Sequence, residues 1–567
     1  MVNPTLKKAL FVCLILVGGV TFKHILRLSF PSFQIKISVD DKSKIEVHNI
    51  SKVIHRDHHS NNGLTVQNSI KPLETDGQSI AIGMGITSRR MPIHDVEGTL
   101  RRIPLFRHFL PSFCKTVTVD WQYNFYFGYD VDDGFFISET KRQAFIKRFQ
   151  SIVQSSCPPN IIVLIHLVHC DHKGSPTWAQ NDAMIEAYID DNSYYYRVND
   201  DSLLKSTNWA EAFVKVLNEY DPKNVGVVGP HHKGGNEAIL TYDFVHKTHL
   251  DIFGFYYPRV FTDWWGDDWV TKVYRPGRST KLFSIKLVHT LDTGTRYKVH
   301  TSVEGKLANQ LNSDKVTLYR YIEAVKRNKD LPDPDGTKII AMSLPAKSKK
   351  HLYGALRNIQ LVKVFMPEWI LRLYVAEGVP QRWLNKFKLL KAQIVQLPAN
   401  NEPFELQPFK IIEDSSVNVF IIRNATSRLS ERDATVVKDW VSSQAAFHCI
   451  RDHPRHKSSR IAGIGTIGGR REKLNQRLSE AVTKFSQVTS SWNWLQTTLF
   501  DLVKADMLCH DSVSCTDWPN SRHFTQRRFK SDFIGRVYNE RMNPDDKTAE
   551  NEVKSHPDPP ECTKTTQ

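Results

Sequence analysis

The chain has 567 residues, 40% of them hydrophobic and 11% aromatic, which is ample for sizeable cores and suits roughly two to four globular domains rather than a disordered polymer. Its formal net charge of +16 suits nucleic acid, a membrane surface or an anionic substrate. No zinc-finger, RRM or KH pattern accompanies the charge, so no nucleic-acid partner is expected.

At the N-terminus, Lys7 and Lys8 precede a charge-free apolar segment, Ala9 to Phe22, which is followed by Lys23, His24 and Arg27. The segment is shorter than the span of about 20 residues that a bilayer asks for, but flanking lysines can snorkel and a thin early-secretory bilayer asks for less. No small-x-small cleavage site follows, which favours an uncleaved signal anchor over a cleaved peptide. Residues 1–23 are therefore expected to be a cytoplasmic tail and anchor helix, making a single-pass type II protein of the Golgi or ER membrane with a lumenal remainder. Residues 24–75, rich in Lys, His, Ser and Asn, read as a stem. Sequons at Asn49-Ile50-Ser51 and Asn424-Ala425-Thr426 are compatible with that compartment.

From residue 76 to 305, short apolar runs alternate with helical stretches, the pattern of an α/β domain with a largely parallel sheet. Ser79 to Gly85 is a first strand running into a loop that carries Thr87, Ser88 and Arg89, a candidate nucleotide-binding loop although it is no GxGxxG. Phe125 to Tyr129 is a second strand with an acidic end, Asp130 to Asp133, which a surface turn would explain equally well. Ile161 to Ile165 and Val225 to Pro230 are further strands. Pro176 to Ala187 reads as a helix with Trp178, Met184, Ile185 and Tyr188 on roughly one face. His246 and His249 lie three apart without the Glu of a zinc motif, so no zinc site is expected there.

The run Tyr194-Tyr195-Tyr196-Arg197-Val198 ends in Asn199-Asp200-Asp201. A strand that stops in carboxylates delivers hard oxygen ligands to a sheet's carboxyl edge, where open α/β folds bind their ligands. In isolation such a triplet is more often a turn or cap. Downstream come Asp263-Trp264-Trp265-Gly266-Asp267-Asp268-Trp269 and Val288-His289-Thr290; alone, the first reads as a solvated loop and the second as a buried, satisfied histidine.

Taken in order, the three elements resemble the A-type (GT-A) glycosyltransferases over residues 76–305. The resemblance implies Asp201 as the main ligand of Mn²⁺ or Mg²⁺, Asn199 as a neutral or outer partner, and His289 completing the metal site. Asn199 departs from the commoner Asp-x-Asp, which passes that ligand's task to Asp200. Such a metal would neutralise the diphosphate leaving group. Thr87, Ser88, Arg89, Asp130 and Asp200 would contact the nucleotide sugar. Asp268 would take the acceptor's proton, with Asp267 orienting the acceptor. The implied activity is a metal-dependent, hexosyltransferase-like transfer from a nucleotide-diphosphate sugar to a hydroxyl of a glycan or glycoprotein, inverting if Asp268 is the base. A non-catalytic lectin-like or scaffold protein is the competing expectation. A glycoside hydrolase using Asp200 and Asp268 would need no metal and leaves His289 unexplained.

Pro332, Pro334 and Gly336 punctuate an expected linker, 306–336. After it, strands at Lys338 to Leu344, Leu371 to Val375 and Gln393 to Leu397, with helices at Tyr353 to Val364 and Pro380 to Leu390, predict a second α/β unit over 337–541. Val417 to Arg432 and Phe447 to Pro454 resemble microbial glycosyltransferase-like proteins that carry Arg-Asp-x-Asp-Ser-Arg at a strand end. Here Asn424 and Thr426 replace both aspartates, a poor set for a divalent ion, so a degenerate domain is expected that binds acceptor glycan, packs on the first domain or transfers without metal. Residues 542–567 are polar and proline-bearing and read as a disordered tail. Of eight cysteines, Cys13 lies in the anchor. Cys114, Cys157, Cys170, Cys449, Cys509, Cys515 and Cys562 show no CxxC pair, and Cys509 with Cys515 is a short-loop disulfide candidate, the connectivity being undetermined. The expected fold class is thus α/β, with two Rossmann-like (GT-A-like) nucleotide-diphospho-sugar transferase domains after an N-terminal membrane anchor.

Overall fold

The computed structural model describes residues 79–290, 304–398, 404–443, 445–458, 466–473, 480, 501–513, 521–528, 531–541 and 543–555, with the backbone of four short strands within 26–57. The apolar segment Ala9 to Phe22 lies outside the described residues, and no described helix is long and apolar enough to cross a membrane. In the stretch expected as a stem, β1 (Leu26–Phe30), β2 (Phe33–Val39) and β3 (Ile45–Asn49) form an antiparallel sheet, and β4 (Val53–Asp57) joins the edge of the first domain.

That domain is built on β5 (Ser79–Gly85), β6 (Gln122–Tyr129), β7 (Ile162–His169), β8 (Tyr194–Arg197), β9 (Ser202–Leu204), β10 (Val227–Lys233), β11 (Phe244–His246) and β12 (Ser279–His289). The sheet order is β4-β7-β6-β5-β8-β11-β10-β12-β9. From β4 to β8 it is parallel, and β5, β6 and β8 are buried on both faces, as runs such as Ile80-Ala81-Ile82 require. Two short returning strands, β11 and β9, pair antiparallel, so the expected largely parallel sheet is mixed. Its helices are α1 (Val96–Arg102), α2 (Leu110–Thr116), α3 (Glu139–Ser156), α4 (Pro176–Ile189), α5 (Trp209–Glu219), α6 (Thr248–Phe253) and α7 (Gly266–Val273).

The second sheet runs β15 (Gln393–Gln396), β14 (Ile370–Val375), β13 (Lys338–Leu344), β16 (Val419–Ile422), β18 (Ile467–Arg470), β17 (Phe447–Arg451), β19 (Met507–Asp511) and β20 (Ser521–Arg522). Leaving aside the edge strands β4, β9 and β20, β7-β6-β5-β8-β11-β10-β12 and β15-β14-β13-β16-β18-β17-β19 match strand for strand. Each pairing is parallel or antiparallel in both. The two halves share one topology, and β16 holds the place in the second that β8 holds in the first.

Between them, α8 (Glu304–Arg327) occupies most of the stretch expected as a linker, and α9 (Lys349–Phe365) and α10 (Gln381–Leu389) face the first domain. The Tyr188 hydroxyl accepts from Gln360 at 3.0 Å, and Lys386 pairs with Asp191 at 2.7 Å. Met184, Tyr188, Leu250 and Trp269 share one apolar cluster with Leu352, Leu356, Ile359 and Trp383. Helix α4 is consequently buried on almost every side, whereas its spacing suggested one apolar face; Trp178, placed on that face by the spacing, lies at its half-exposed margin. On the sheet side, a Cβ at Gly128 would sit 2.3 Å from the Ala179 carbonyl oxygen, so only glycine lets α4 lie this close to β6.

Cys114 is bonded to Cys157, and Cys449 to Cys509. The second bond joins residues directly opposite in the β17–β19 ladder, which corrects the Cys509–Cys515 expectation: strand pairing, invisible in local spacing, brings distant cysteines together. Among the described residues, Cys170 is a free, buried cysteine. The second domain also carries α11 (Glu431–Ser442); in the stretch expected as a disordered tail, α12 (Lys547–Ser555) buries Ala549 and Val553, four residues apart, while Arg455 pairs with Glu552 at 2.7 Å.

Gly128→Ala is expected to cost about 3 kcal/mol through overpacking, read from urea unfolding. On α8, Asp314 accepts from Trp269 Nε1 at 2.9 Å and Gln310 at 2.8 Å, and burial outweighs these bonds and pushes its carboxyl from 3.8 to about 6. The folded chain therefore binds more protons than the unfolded chain in that window, so stability falls as pH rises through it and the loss persists above. Asp314→Asn, which keeps an acceptor oxygen, should gain about 1–2 kcal/mol at neutral pH and nothing near pH 4, measured by thermal unfolding across pH.

Candidate functional site

Strand β8 buries Tyr194, Tyr195 and Tyr196 completely and leaves Arg197 at its carboxyl end, with Nε on Gln180 Oε1 at 3.1 Å and Nη1 on the Thr241 carbonyl at 2.6 Å. The chain then turns at Asn199, whose carbonyl accepts from Ser202 N, and enters β9. Because β9 pairs with β12, Ser202 stands opposite His289. That register brings the Asp201 carboxylate to 3.1 Å from His289 Nε2, and Thr290 fixes the Asp201 carbonyl through its N–H at 3.1 Å and its hydroxyl at 2.9 Å. Asp200 and Asp201 are buried, while Asn199 is half-buried.

The acidic element at the start of α7 faces the same region through two intermediaries. The Asp267 carboxyl is raised by burial, with Arg197 pulling it down and Asp268 pushing it up. The Tyr242 hydroxyl is pushed far up by burial; the Ser202 hydroxyl and Arg197 oppose this, and the carboxylates of Asp201 and Asp267 add to it. Its ring meets the His289 ring edge-on at 6.2 Å. Arg197 further serves Asp243, whose carboxyl burial raises to about 6 against the pull of Arg197 and the hydroxyls of Tyr256 and Tyr257. Asp268 turns the other way, onto Lys272 at 2.7 Å on the next helical turn. The structure thus joins Asp201 and His289 directly, groups Asp267 with them around Tyr242 and Arg197, and leaves Asp268 paired and partly accessible at the margin.

The loop after β5 is held by a residue outside the expected set. Asp133 accepts from Thr87 Oγ1 at 3.0 Å, Ser88 N at 2.7 Å and Ser88 Oγ at 2.6 Å, and also from the N–H groups of Phe135 and Phe136. Thr87 and Ser88 are buried in these bonds, while Arg89 pairs with Asp130 at 2.8 Å and Asp132 at 3.2 Å. Asp130 accepts in addition from Gly174 N at 2.8 Å. The acidic run 130–133 was the available signal, but nothing local distinguishes the member that faces inward.

Among the described residues, the group whose donor atoms all lie within 4.8 Å of one another is Cys170, His172 and Asp182, a set different from Asp201, Asn199 and His289. His172 Nε2 lies 3.0 Å from Asp182 Oδ2, and Arg259 pairs with the other carboxylate oxygen. Burial and the neighbouring carboxylates of Asp182 and Asp130 push the Cys170 thiol well up. The charge on Asp182 is already met by Arg259, and the thiol stays protonated.

No protein-family model and no curated protein matches the sequence. Solved structures with some likeness in fold include the galactosyltransferase LgtC with donor and acceptor sugar analogs (TM-score 0.24, 12% identity, 31% of this chain and 73% of that one). Others are the mannosyltransferase PcManGT from Pyrobaculum calidifontis with GDP-Man and Mn²⁺ (0.25, 15%, 35% and 62%) and S. aureus TarS (0.28, 9%, 50% and 52%). The match spans less than two thirds of the last two structures. Likeness at these scores assigns no activity to this chain.

Asp133→Ala should strip partners from buried donors at Thr87, Ser88, Phe135 and Phe136 and cost about 3 kcal/mol, seen as a lower urea midpoint with an unchanged slope.

Proposed function

We propose that the first domain binds a nucleotide-diphosphate sugar at the carboxyl edge of β5 to β8 and transfers its sugar to a hydroxyl of a glycan or glycoprotein. The observation that carries this reading is the Asp201–His289 contact of 3.1 Å, with Asp267 at the start of α7 linked to the same region through Tyr242 and Arg197. A buried carboxylate pair, Asp200 and Asp201, with one imidazole nitrogen is a donor set that suits Mn²⁺ or Mg²⁺. Asp201 and His289 would hold the ion, with Asp200 and Asn199 as the adjoining oxygen donors. When bound, such an ion supplies charge neutralisation for a departing diphosphate.

The chain's own residues then have distinct tasks. Arg89, anchored on Asp130, presents a guanidinium at the mouth of the β5 loop. Thr87 and Ser88, locked by Asp133, set the shape of that loop. Asp268 is reachable from solvent and is the base that takes the acceptor's proton, and Asp267, turned toward Arg197, positions the acceptor. In-line attack assisted by Asp268 would invert the anomeric carbon.

The second domain plays a binding or structural part in this proposal. At the position equivalent to the end of β8, Asn424 Oδ1 accepts from Thr426 N and Thr426 Oγ1, both at 2.9 Å, so the turn satisfies itself. The paired cysteines and the exposed Asn424 of the second sequon support a secretory-pathway location. A type II Golgi or ER membrane protein remains the proposal there.

Purified full chain assayed with a panel of UDP and GDP sugars should transfer or hydrolyse one of them in a manner abolished by EDTA. Asp201→Ala should lower turnover at least about 100-fold and remove the gain in nucleotide affinity that Mn²⁺ gives; Asp268→Asn should lower kcat with little change in nucleotide affinity. UDP and GDP binding that ignores both Mn²⁺ and Asp201→Ala would instead support the lectin-like or scaffold reading.

A further inference from the structure

Away from the Asp201 site, a cavity of about 240 Å³ lies between the domains. Phe253 and Phe255 of the first domain wall one side; Arg357, Arg428, Arg536 and Tyr538 of the second wall the other. The volume falls below the range of about 300–1,000 Å³ typical of drug-sized ligands, so it suits a single sugar-sized ring better than a whole nucleotide sugar.

The guanidiniums are poorly compensated. Arg357 donates to the Asp251 and Ile252 carbonyls and to Gln360 Oε1. Arg428 donates through Nη1 to the carbonyls of Ala425, Thr426 and Ser427. Among the described residues, all of these acceptors are neutral. Burial lowers both guanidiniums to about 10, and Arg357 adds to the downward pull on Arg428. Among the described residues, the buried Nη2 of Arg428 and Nε of Arg536 meet no hydrogen-bond partner. Two carboxylates touch the third arginine: Glu550 at 2.9 Å and Asp532 at 3.8 Å from Arg536. Asp251 and Asp314 also act on Arg357, but among the residues that line the cavity three are arginines and one, Asp532, is a carboxylate, so the wall itself is cationic.

Burying like charges without a counter-charge is costly, and an oxyanion entering the cavity would relieve that cost. Guanidinium forks match the geometry of phosphate, sulfate and carboxylate. Tyr538 lies under Arg428 and Arg536, with guanidinium carbons 4.9 Å and 5.9 Å from its ring centre, which holds both in place by cation–π attraction. The two phenylalanines opposite supply flat apolar surface for the C–H face of a sugar.

We propose that this interdomain cavity binds an anionic monosaccharide, its phosphate, sulfate or carboxylate group held by Arg357, Arg428 and Arg536 and its ring set against Phe253 and Phe255. The site needs no metal and shares no residue with the Asp201 site, so the two stand or fall separately.

Calorimetry of the full chain at low ionic strength, with EDTA present, tests it using glucose 1-phosphate, glucose 6-sulfate, glucuronate and neutral glucose as probes. At least one charged sugar should bind while glucose does not, and the arm that binds best identifies the oxyanion. Arg428→Gln and Arg536→Gln should each weaken that binding about ten-fold or more, whereas Asp532→Asn, which removes the carboxylate that lines the cavity, should tighten it. Asp201→Ala should leave it unchanged. Asp532 keeps 46% of its side chain exposed and loses only a carboxylate oxygen in that variant, which tests the proposal even if an arginine variant fails to fold. Binding unchanged in Arg536→Gln and Asp532→Asn, binding lost in Asp201→Ala, or no binding of any charged sugar would overturn it.

Discussion

The site depends on a three-residue antiparallel pairing. β9 is held to β12 at Leu204–Leu287, Leu203–Val288 and Ser202–His289, and this register alone sets Asp201 beside His289 across a long stretch of intervening chain. A slip by one residue would turn His289 to the other face of the sheet. Thr290, bonding the Asp201 carbonyl with both its N–H and its hydroxyl, fixes the end of the ladder where fraying would begin. The cost of gathering Asp200, Asp201, Asp243 and Asp267 in one buried region is offset in part by Arg197, whose guanidinium acts on Asp243 and Asp267 together.

The second half uses the same strand order for different chemistry. Arg423 pairs with Asp433 through two bonds, Arg432 and Arg528 converge on Asp452, and Arg451 meets Asp511 at 3.0 Å, all deeply buried. Each buried carboxylate at that sheet edge already has a guanidinium. Where the first half gathers carboxylates in excess of cations at this edge, the second has paired its carboxylates there with arginines. Such networks add little net stability over apolar packing but are severe to break.

The sequence carried the parallel core plainly. Runs such as Ile80-Ala81-Ile82 and Lys338 to Leu344 are apolar because both faces of these strands are covered, and β13 begins and ends where its run does. Asp201 and His289 were also legible, because residue type and order suffice to nominate them. Asp133 was not: four acidic candidates in a short run look alike until the fold shows which carboxylate turns inward on Thr87 and Ser88. Nor were Arg197, Tyr242 or the Cys449–Cys509 bond, whose roles arise from strands far apart in the chain. Helix α8 was hidden for another reason. Its apolar positions, such as Leu307, Leu318 and Ile322, are diluted among charged residues, and the prolines and glycine just beyond it marked the whole stretch as a connection.

The two domains are coupled physically as well as topologically. Phe253 and Phe255, which wall the interdomain cavity, pack their rings on Trp269 at 5.0 Å and 5.7 Å. Trp269 lies on α7 directly after Asp267 and Asp268, and its Nε1 is tied to Asp314 of α8. On the other flank, α4 carries Gln180 to Arg197, while the same helix gives Tyr188 to Gln360 and Glu186 to Arg382 of the second domain. The start of α7 and the β8 edge are therefore each braced by side chains that the second domain helps to bury. Densely packed interfaces of this kind transmit displacement rather than absorb it, so a first domain cut away from the second would lose the packing behind α7 and α4 together. That gives a structural reason for a half without the acidic motif to accompany the half that has it.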